Sequence, residues 1–168
     1  MDSAVLGREA ELRIVHRLLE SVTDGPAACV LEGEAGIGKT ALWRAGVMAA
    51  TAAGSRVVSC APAEVEAALA YSCLADLLAG VEPELRAALP EPQRAALEVA
   101  MLLSARTDAV AGQRAVATAL VSVLRLLAES AAVVVAIDDV QWLDPASARV
   151  LEFAARRLEG RRVGFLLS

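Results

Sequence analysis

Lysine is almost missing from this chain. Of its 16 lysines and arginines only Lys39 is a lysine, and histidine occurs once. An arginine- and alanine-rich bias accounts for the arginines and leaves one compact, strongly hydrated point charge at a single position. Also missing is any run of about 18 consecutive apolar residues, which argues against a transmembrane helix. The most apolar segment, Ala131 to Ile137, is strand-sized and ends in two aspartates. A secretory signal would need a basic region followed by an apolar one, and Asp2, Arg8, Glu9 and Glu11 stand there instead, so a cytoplasmic location is expected. Cys29, Cys60 and Cys73 lack CxxC spacing and have almost no histidine to join them. Each falls on or beside an apolar segment, a pattern of buried free thiols rather than of disulfides or metal ligands. A net charge of -5 has the wrong sign for a large nucleic-acid-binding surface in this segment.

What is present is a chain of 168 residues, 57% hydrophobic, enough for one domain with a sizeable core. Leu12, Val15, Leu18 and Leu19 recur at helical spacing and predict an amphipathic helix from Arg8 to Leu19, broken by Gly25-Pro26. Ala27 to Leu31 reads as a first strand, Lys39 to Ala53 as a helix stopped by Gly54, and Arg56 to Cys60 as a second strand. The stretch from Pro62 to Ser130 is mainly helical, with a stripe of Leu74, Leu77, Leu78 and Val81, a helix from Gln93 to Ser104 and a longer one from Ala115 to Glu129. Ala132 to Ile137 is a third strand, and Asp144-Pro145 caps and opens a helix that runs to about Leu158. Arg162 to Leu167 is a fourth strand. Alternating helices and near-continuous apolar strands predict an α/β fold, a parallel sheet covered by helices on both faces.

Gly33-Glu34-Ala35-Gly36-Ile37-Gly38-Lys39-Thr40 satisfies the pattern G-x-x-x-x-G-K-[ST] in full, between a strand and a helix. Its glycines let the backbone turn so that successive N–H groups converge on phosphate oxygens, and the following helix adds its positive end. Lys39 is expected to reach the β- and γ-phosphates, and the Thr40 hydroxyl to ligate Mg²⁺. Far downstream, Val133 to Ile137 delivers Asp138 and Asp139 at the C-terminal end of a strand, where ligands of open α/β sheets sit. Asp138 is assigned to Mg²⁺, directly or through water, and Asp139 to orienting or deprotonating the attacking water. The order of elements between the two motifs fits P-loop ATPases of the additional-strand type, in which a further strand lies between the loop strand and the acidic strand. No Asn-Lys-x-Asp base-reading motif is present, which argues against guanine.

Leu6-Gly7-Arg8-Glu9, the phosphate loop, and Asp138-Asp139-Val140-Gln141-Trp142-Leu143-Asp144-Pro145-Ala146-Ser147 together resemble the ATPase domain of large LuxR-type (MalT-like) transcriptional regulators. Related AAA-like signal-transducing ATPases carry the same pattern, some attached to nucleotide cyclase or protein kinase domains. The resemblance covers nearly the whole chain, including Leu69-Ala70-Tyr71, Leu74 to Leu78 and Leu89 to Arg94, with Ala70 where such proteins usually have proline. It implies an ATP-controlled switch with slow turnover. Gly7 and Arg8 would lie near the adenine, Gln141 and Trp142 would form a structured loop, and Trp142 would serve packing. DNA would be bound by a C-terminal domain outside this segment, and nucleotide-dependent self-association is a further implied property. The alternatives are the same module controlling a cyclase or kinase, or a scaffold that holds ATP without turnover.

The same resemblance divides the chain into 1–26 (helix and adenine-proximal motif), 27–61 (phosphate-loop unit), 62–130 (helical region) and 131–168 (acidic strand, helix and fourth strand). Such domains continue into a γ-phosphate-sensing arginine, a fifth strand and a helical lid. The segment is therefore expected to be an N-terminal piece, truncated after the fourth strand, with strand order 1-4-3-2, and by itself to bind nucleotide weakly at best and not to hydrolyse ATP measurably.

Overall fold

The computed structural model describes residues 7–101 and 112–168. Its centre is a four-stranded, wholly parallel sheet. β1 (Ala27–Val30) pairs with β4 (Val163–Leu167), β4 with β3 (Val133–Ile137), and β3 with β2 (Arg56–Cys60), giving the order β1-β4-β3-β2. β4 thus lies between the strand feeding the glycine-rich loop and the strand ending in aspartates, which is the additional-strand arrangement.

Period-two alternation along the inner strands splits the core in two. Val134 and Ala136 of β3 and Leu166 of β4 face α1 (Glu9–Val22) and α2 (Lys39–Ala52). Val133, Val135 and Ile137, with Val163 and Phe165, face the opposite layer. That layer contains α3 (Ser72–Ala79), α4 (Pro83–Ala87), α5 (Glu91–Ala100), α6 (Gln113–Ser130) and α7 (Pro145–Ala155). α6 contributes most, burying Val116, Leu120, Val123, Leu124 and Leu127. Every residue of β3 is buried, as its unbroken apolar run demands.

The edge strands depart from that expectation. β1 alternates half-buried and exposed residues, and Val30 is 52% exposed. A four-residue apolar run cannot report whether its strand has one neighbour or two. Cys29, predicted buried, is consequently only half-buried on β1, whereas Cys60 and Cys73 are buried as expected. All three are free thiols. Contact with Cys60 Sγ at 2.7 Å, together with burial, pushes the Cys73 thiol well above its ordinary range, and a protonated buried thiol is inert.

Element boundaries shift modestly. α1 continues to Val22, because Val22 is one of its core contacts, and α7 stops at Ala155 rather than near Leu158. α5 opens at Glu91 behind Pro90, and positions 102–104 of the predicted helix lie outside the described residues, as does Leu6 of the N-terminal motif.

α1 reaches the sheet closely because two partners lack side chains. A Cβ on Gly46 of α2 would stand 2.7 Å from Leu166 Cδ2 and 2.8 Å from Val15 Cγ1, and one on Gly164 of β4 would collide with Val22 Cγ2. α2 is fastened to β4 by Trp43, whose Nε1 donates to the Leu166 carbonyl at 3.3 Å. The helix that begins at Lys39 is therefore fixed against the strand beside the acidic one.

Candidate nucleotide site

The loop from Gly33 to Gly38 is exposed and joins β1 to α2. Gly36 and Gly38 adopt φ of 78° and 95°, left-handed values open to glycine at no steric cost. Among the described residues, the N–H groups of Gly36, Gly38, Lys39 and Thr40 have no backbone acceptor. Together they are the free donors of the loop and of the helix N-terminus that follows it, a set that suits an anion. Lys39 Nζ folds back to donate to the carbonyls of Gly33 at 2.9 Å and Glu34 at 3.2 Å. Its charge sits over the loop mouth on bonds that a phosphate can replace.

At the ends of β3 and β4 the acidic pair separates. Asp138 is buried, 4% exposed. Its Oδ1 accepts from Thr40 Oγ1 at 3.3 Å, from the Ser168 hydroxyl in a short bond, and from the Asp139 N–H at 3.2 Å. It stands behind Thr40 rather than in the cleft wall, a position suited to a metal approached through Thr40 or through water. Asp139 has φ 52° and ψ 51°, a left-handed conformation that costs a non-glycine residue about 1 kcal/mol or more but is best tolerated by Asp and Asn. This turn aims its half-buried carboxylate at the cleft, where Gln141 Nε2 donates to Oδ1 at 2.8 Å.

Two clefts flank Lys39. One, of about 460 Å³, is lined by Gly36, Lys39, Thr40, Arg44, Asp139 and Gln141, among others. The other, of about 350 Å³, is lined by Arg8, Ile14, Val30, Ile37, Lys39 and Leu42, among others. Arg8 bridges the two motifs: one guanidinium nitrogen donates to the Ile37 carbonyl in a short bond and the other to Glu11 Oε1 at 3.4 Å. Gly7, with φ 82°, precedes it on the surface.

The structure thus brings Lys39, Thr40, Asp138, Asp139, Arg8 and the loop backbone together around one locus. Free N–H donors, an ammonium, and a hydroxyl beside a carboxylate are the donor set that a nucleotide triphosphate and Mg²⁺ require. Sequence reasoning overlooked three participants. Ser168 stands at the end of β4, and a terminal serine carries no pattern. Arg44 lies one turn beyond Thr40 and, among the described residues, forms no ion pair. Gln141 was read only as part of a structured loop, although its side chain lines the phosphate cleft. Trp142 is half-buried and belongs to neither core cluster.

Asp144 does more than cap. It accepts from Ser147 N–H at 2.9 Å at the start of α7, and also from the N–H groups of Tyr71 at 2.9 Å and Cys73 at 3.3 Å. The Ser147 hydroxyl accepts from Leu74 N–H at 3.0 Å. One carboxylate and one hydroxyl of α7 therefore satisfy the open N-terminus of α3. Burial pushes the Asp144 carboxyl up, but the hydrogen bonds from Ser147, Tyr71 and Cys73 outweigh it and hold it below the usual range.

A parallel sheet in the order β1-β4-β3-β2, with a glycine-rich phosphate loop after β1 and an acidic pair after β3, defines a P-loop NTPase domain. A family model described as an AAA ATPase domain matches residues 4–167. The chain belongs to that family, whose domains bind and hydrolyse nucleotide. No curated protein and no solved structure gives a significant match. Among the described residues no helix is long and apolar enough to cross a membrane.

Proposed function

We propose that this domain binds Mg-ATP and hydrolyses it slowly, as the nucleotide-controlled switch of a LuxR-type transcriptional regulator. The observation that carries the catalytic half is the meeting of Lys39, Thr40, Asp138 and Asp139 from two distant motifs at one cleft. Lys39 exchanges its loop carbonyls for β- and γ-phosphate oxygens, while the N–H groups of Gly36, Gly38, Lys39 and Thr40 hold the phosphate chain. Thr40 and Asp138 hold Mg²⁺, which screens the charge of the phosphates. Asp139 orients the attacking water and takes its proton. Arg8, resting on Ile37, closes the side of the loop where Gly7 and Arg8 flank the adenine.

The regulatory half is supported by the run from Asp138 to Ser147, much more particular than a phosphate loop alone. In that reading DNA is contacted outside this segment, and nucleotide state governs exposure of distant parts and self-association. Phosphate release by the full-length protein with Mg-ATP, compared with its Lys39→Ala variant, tests the proposal. Lys39-dependent turnover supports the switch. ATP binding with no turnover would instead establish a nucleotide-gated scaffold.

A further inference from the structure

We propose that Gln141 is a positioning residue for hydrolysis, holding the Asp139 carboxylate so that its free oxygen grips the attacking water. The inference rests on the nucleotide-hydrolysing reading above and adds a residue to it. Gln141 is the middle residue of a 3-10 turn, Val140–Trp142, that follows Asp139 directly. The turn is anchored at both ends. Val140 N–H donates to the Ser168 carbonyl at 2.9 Å, and Trp142 N–H donates to the Asp139 carbonyl at 3.0 Å. With Asp139 held left-handed by its own N–H bonds to Asp138 Oδ1 and Ser168 Oγ, the two side chains are directed to the same cleft wall.

The bonding leaves a useful remainder. Gln141 Nε2 donates to Asp139 Oδ1, and among the described residues neither Asp139 Oδ2 nor Gln141 Oε1 receives a hydrogen bond. A water that attacks phosphorus must aim a lone pair forward and both protons backward. A carboxylate oxygen fixed on the wall of the cleft that Lys39 also lines meets that requirement, and a carboxylate free to rotate meets it poorly. As the water oxygen bonds to phosphorus, the bond to the bridging oxygen breaks and its electron pair leaves with ADP. Asp139 takes the water's proton and returns it to the phosphate product. Gln141 neither gains nor loses a proton; it fixes which Asp139 oxygen faces the water.

The test uses the full-length protein with Gln141→Leu, Asp139→Asn and the double variant. Three quantities are measured: turnover, affinity for a non-hydrolysable ATP analogue, and affinity for Mg-ADP with aluminium fluoride, which mimics the transferring phosphoryl group. For Gln141→Leu we expect turnover to fall at least ~10-fold and the aluminium fluoride complex to weaken similarly, with analogue affinity within ~2-fold and an unchanged melting temperature. The double variant should be no worse than Asp139→Asn alone, because Gln141 acts through Asp139. Additive losses, an equal loss of analogue affinity, or no loss at all would each overturn the inference. If wild-type turnover is Lys39-dependent while Gln141→Leu is unaffected, this inference fails and the hydrolytic reading stands. Absence of Lys39-dependent turnover in the wild type overturns both.

Discussion

Thr40 Oγ1 lies 3.3 Å from Asp138 Oδ1, although 98 positions separate the two in the chain. The contact exists because α2 starts over β4 and β3 ends beside β4, so the loop and the acidic strand finish at the same level. It also divides the aspartates. Asp138 is drawn under Thr40 by three donors, whereas Asp139 is turned outward to the cleft.

That division predicts unequal variants. Asp138→Asn should weaken Mg²⁺-dependent binding of a fluorescent ATP analogue by ~10-fold or more, about 1.4 kcal/mol. Asp139→Asn keeps a residue that tolerates the left-handed turn, so it should leave binding within ~2-fold and lower turnover. Equal losses of metal-dependent binding would show that the pair acts as one electrostatic patch.

Lys39 gives a second, chemically isolated prediction. Its Nζ is held by the Gly33 and Glu34 carbonyls, and these bonds must be exchanged when phosphate arrives. Lys39→Ala should weaken Mg-ATP binding at least ~10-fold, because the loop's N–H groups remain but the mobile charge is lost. As the chain's single lysine, it should be one of only two amines in this segment, with the N-terminus, to react with an acylating reagent. Saturating Mg-ATP should protect it. Modification at an unchanged rate would place Lys39 away from the nucleotide.

Legibility in the sequence tracked the range of the interactions involved. The phosphate loop, the acidic strand and the Asp144-Pro145 helix start are local patterns whose chemistry is contained in consecutive residues, and each was placed within a residue or two. The half-exposed β1 and the meeting of Ser168 with Asp138 are set by which strands become neighbours, and nothing in either segment encodes that. Gly46 illustrates the difference. Within a helix a glycine reads only as a local cost, and its reason lies in Val15 and Leu166, distant in the chain.

Gly46 and Gly164 should therefore resist enlargement. Gly46→Ala would improve an isolated helix, yet here its methyl meets Val15 and Leu166 side chains at under 3 Å. We expect a net destabilisation of about 1–3 kcal/mol, the usual range for overpacking, with Gly164→Val at least as damaging because Val22 is 1% exposed and has no room to retreat. Denaturant midpoints of the two variants decide it. A Gly46→Ala protein more stable than wild type would show that α1 shifts freely on the sheet.

Asp144 carries a pH dependence that the structure specifies. It caps α7 through Ser147 and holds the N–H groups of Tyr71 and Cys73, so Asp144→Ala removes a cap worth about 1 kcal/mol and strands buried donors at about 1–3 kcal/mol more. Tyr71 is the most exposed to this loss, since it sits at φ 66° with its N–H on Asp144. The Asp144 carboxyl is held below its ordinary value in the folded protein. A depressed folded-state pKa means that the carboxylate's stabilisation is complete above the unfolded value and is lost as pH falls through the folded one. Asp144→Asn keeps a capping oxygen but has no charge to lose. Its melting temperature should trail wild type by the full margin at pH 7 and approach it below about pH 4, the unfolded carboxylate range. A deficit that stays constant from pH 7 to pH 3 would show that the carboxylate's charge contributes nothing beyond the shape of the cap.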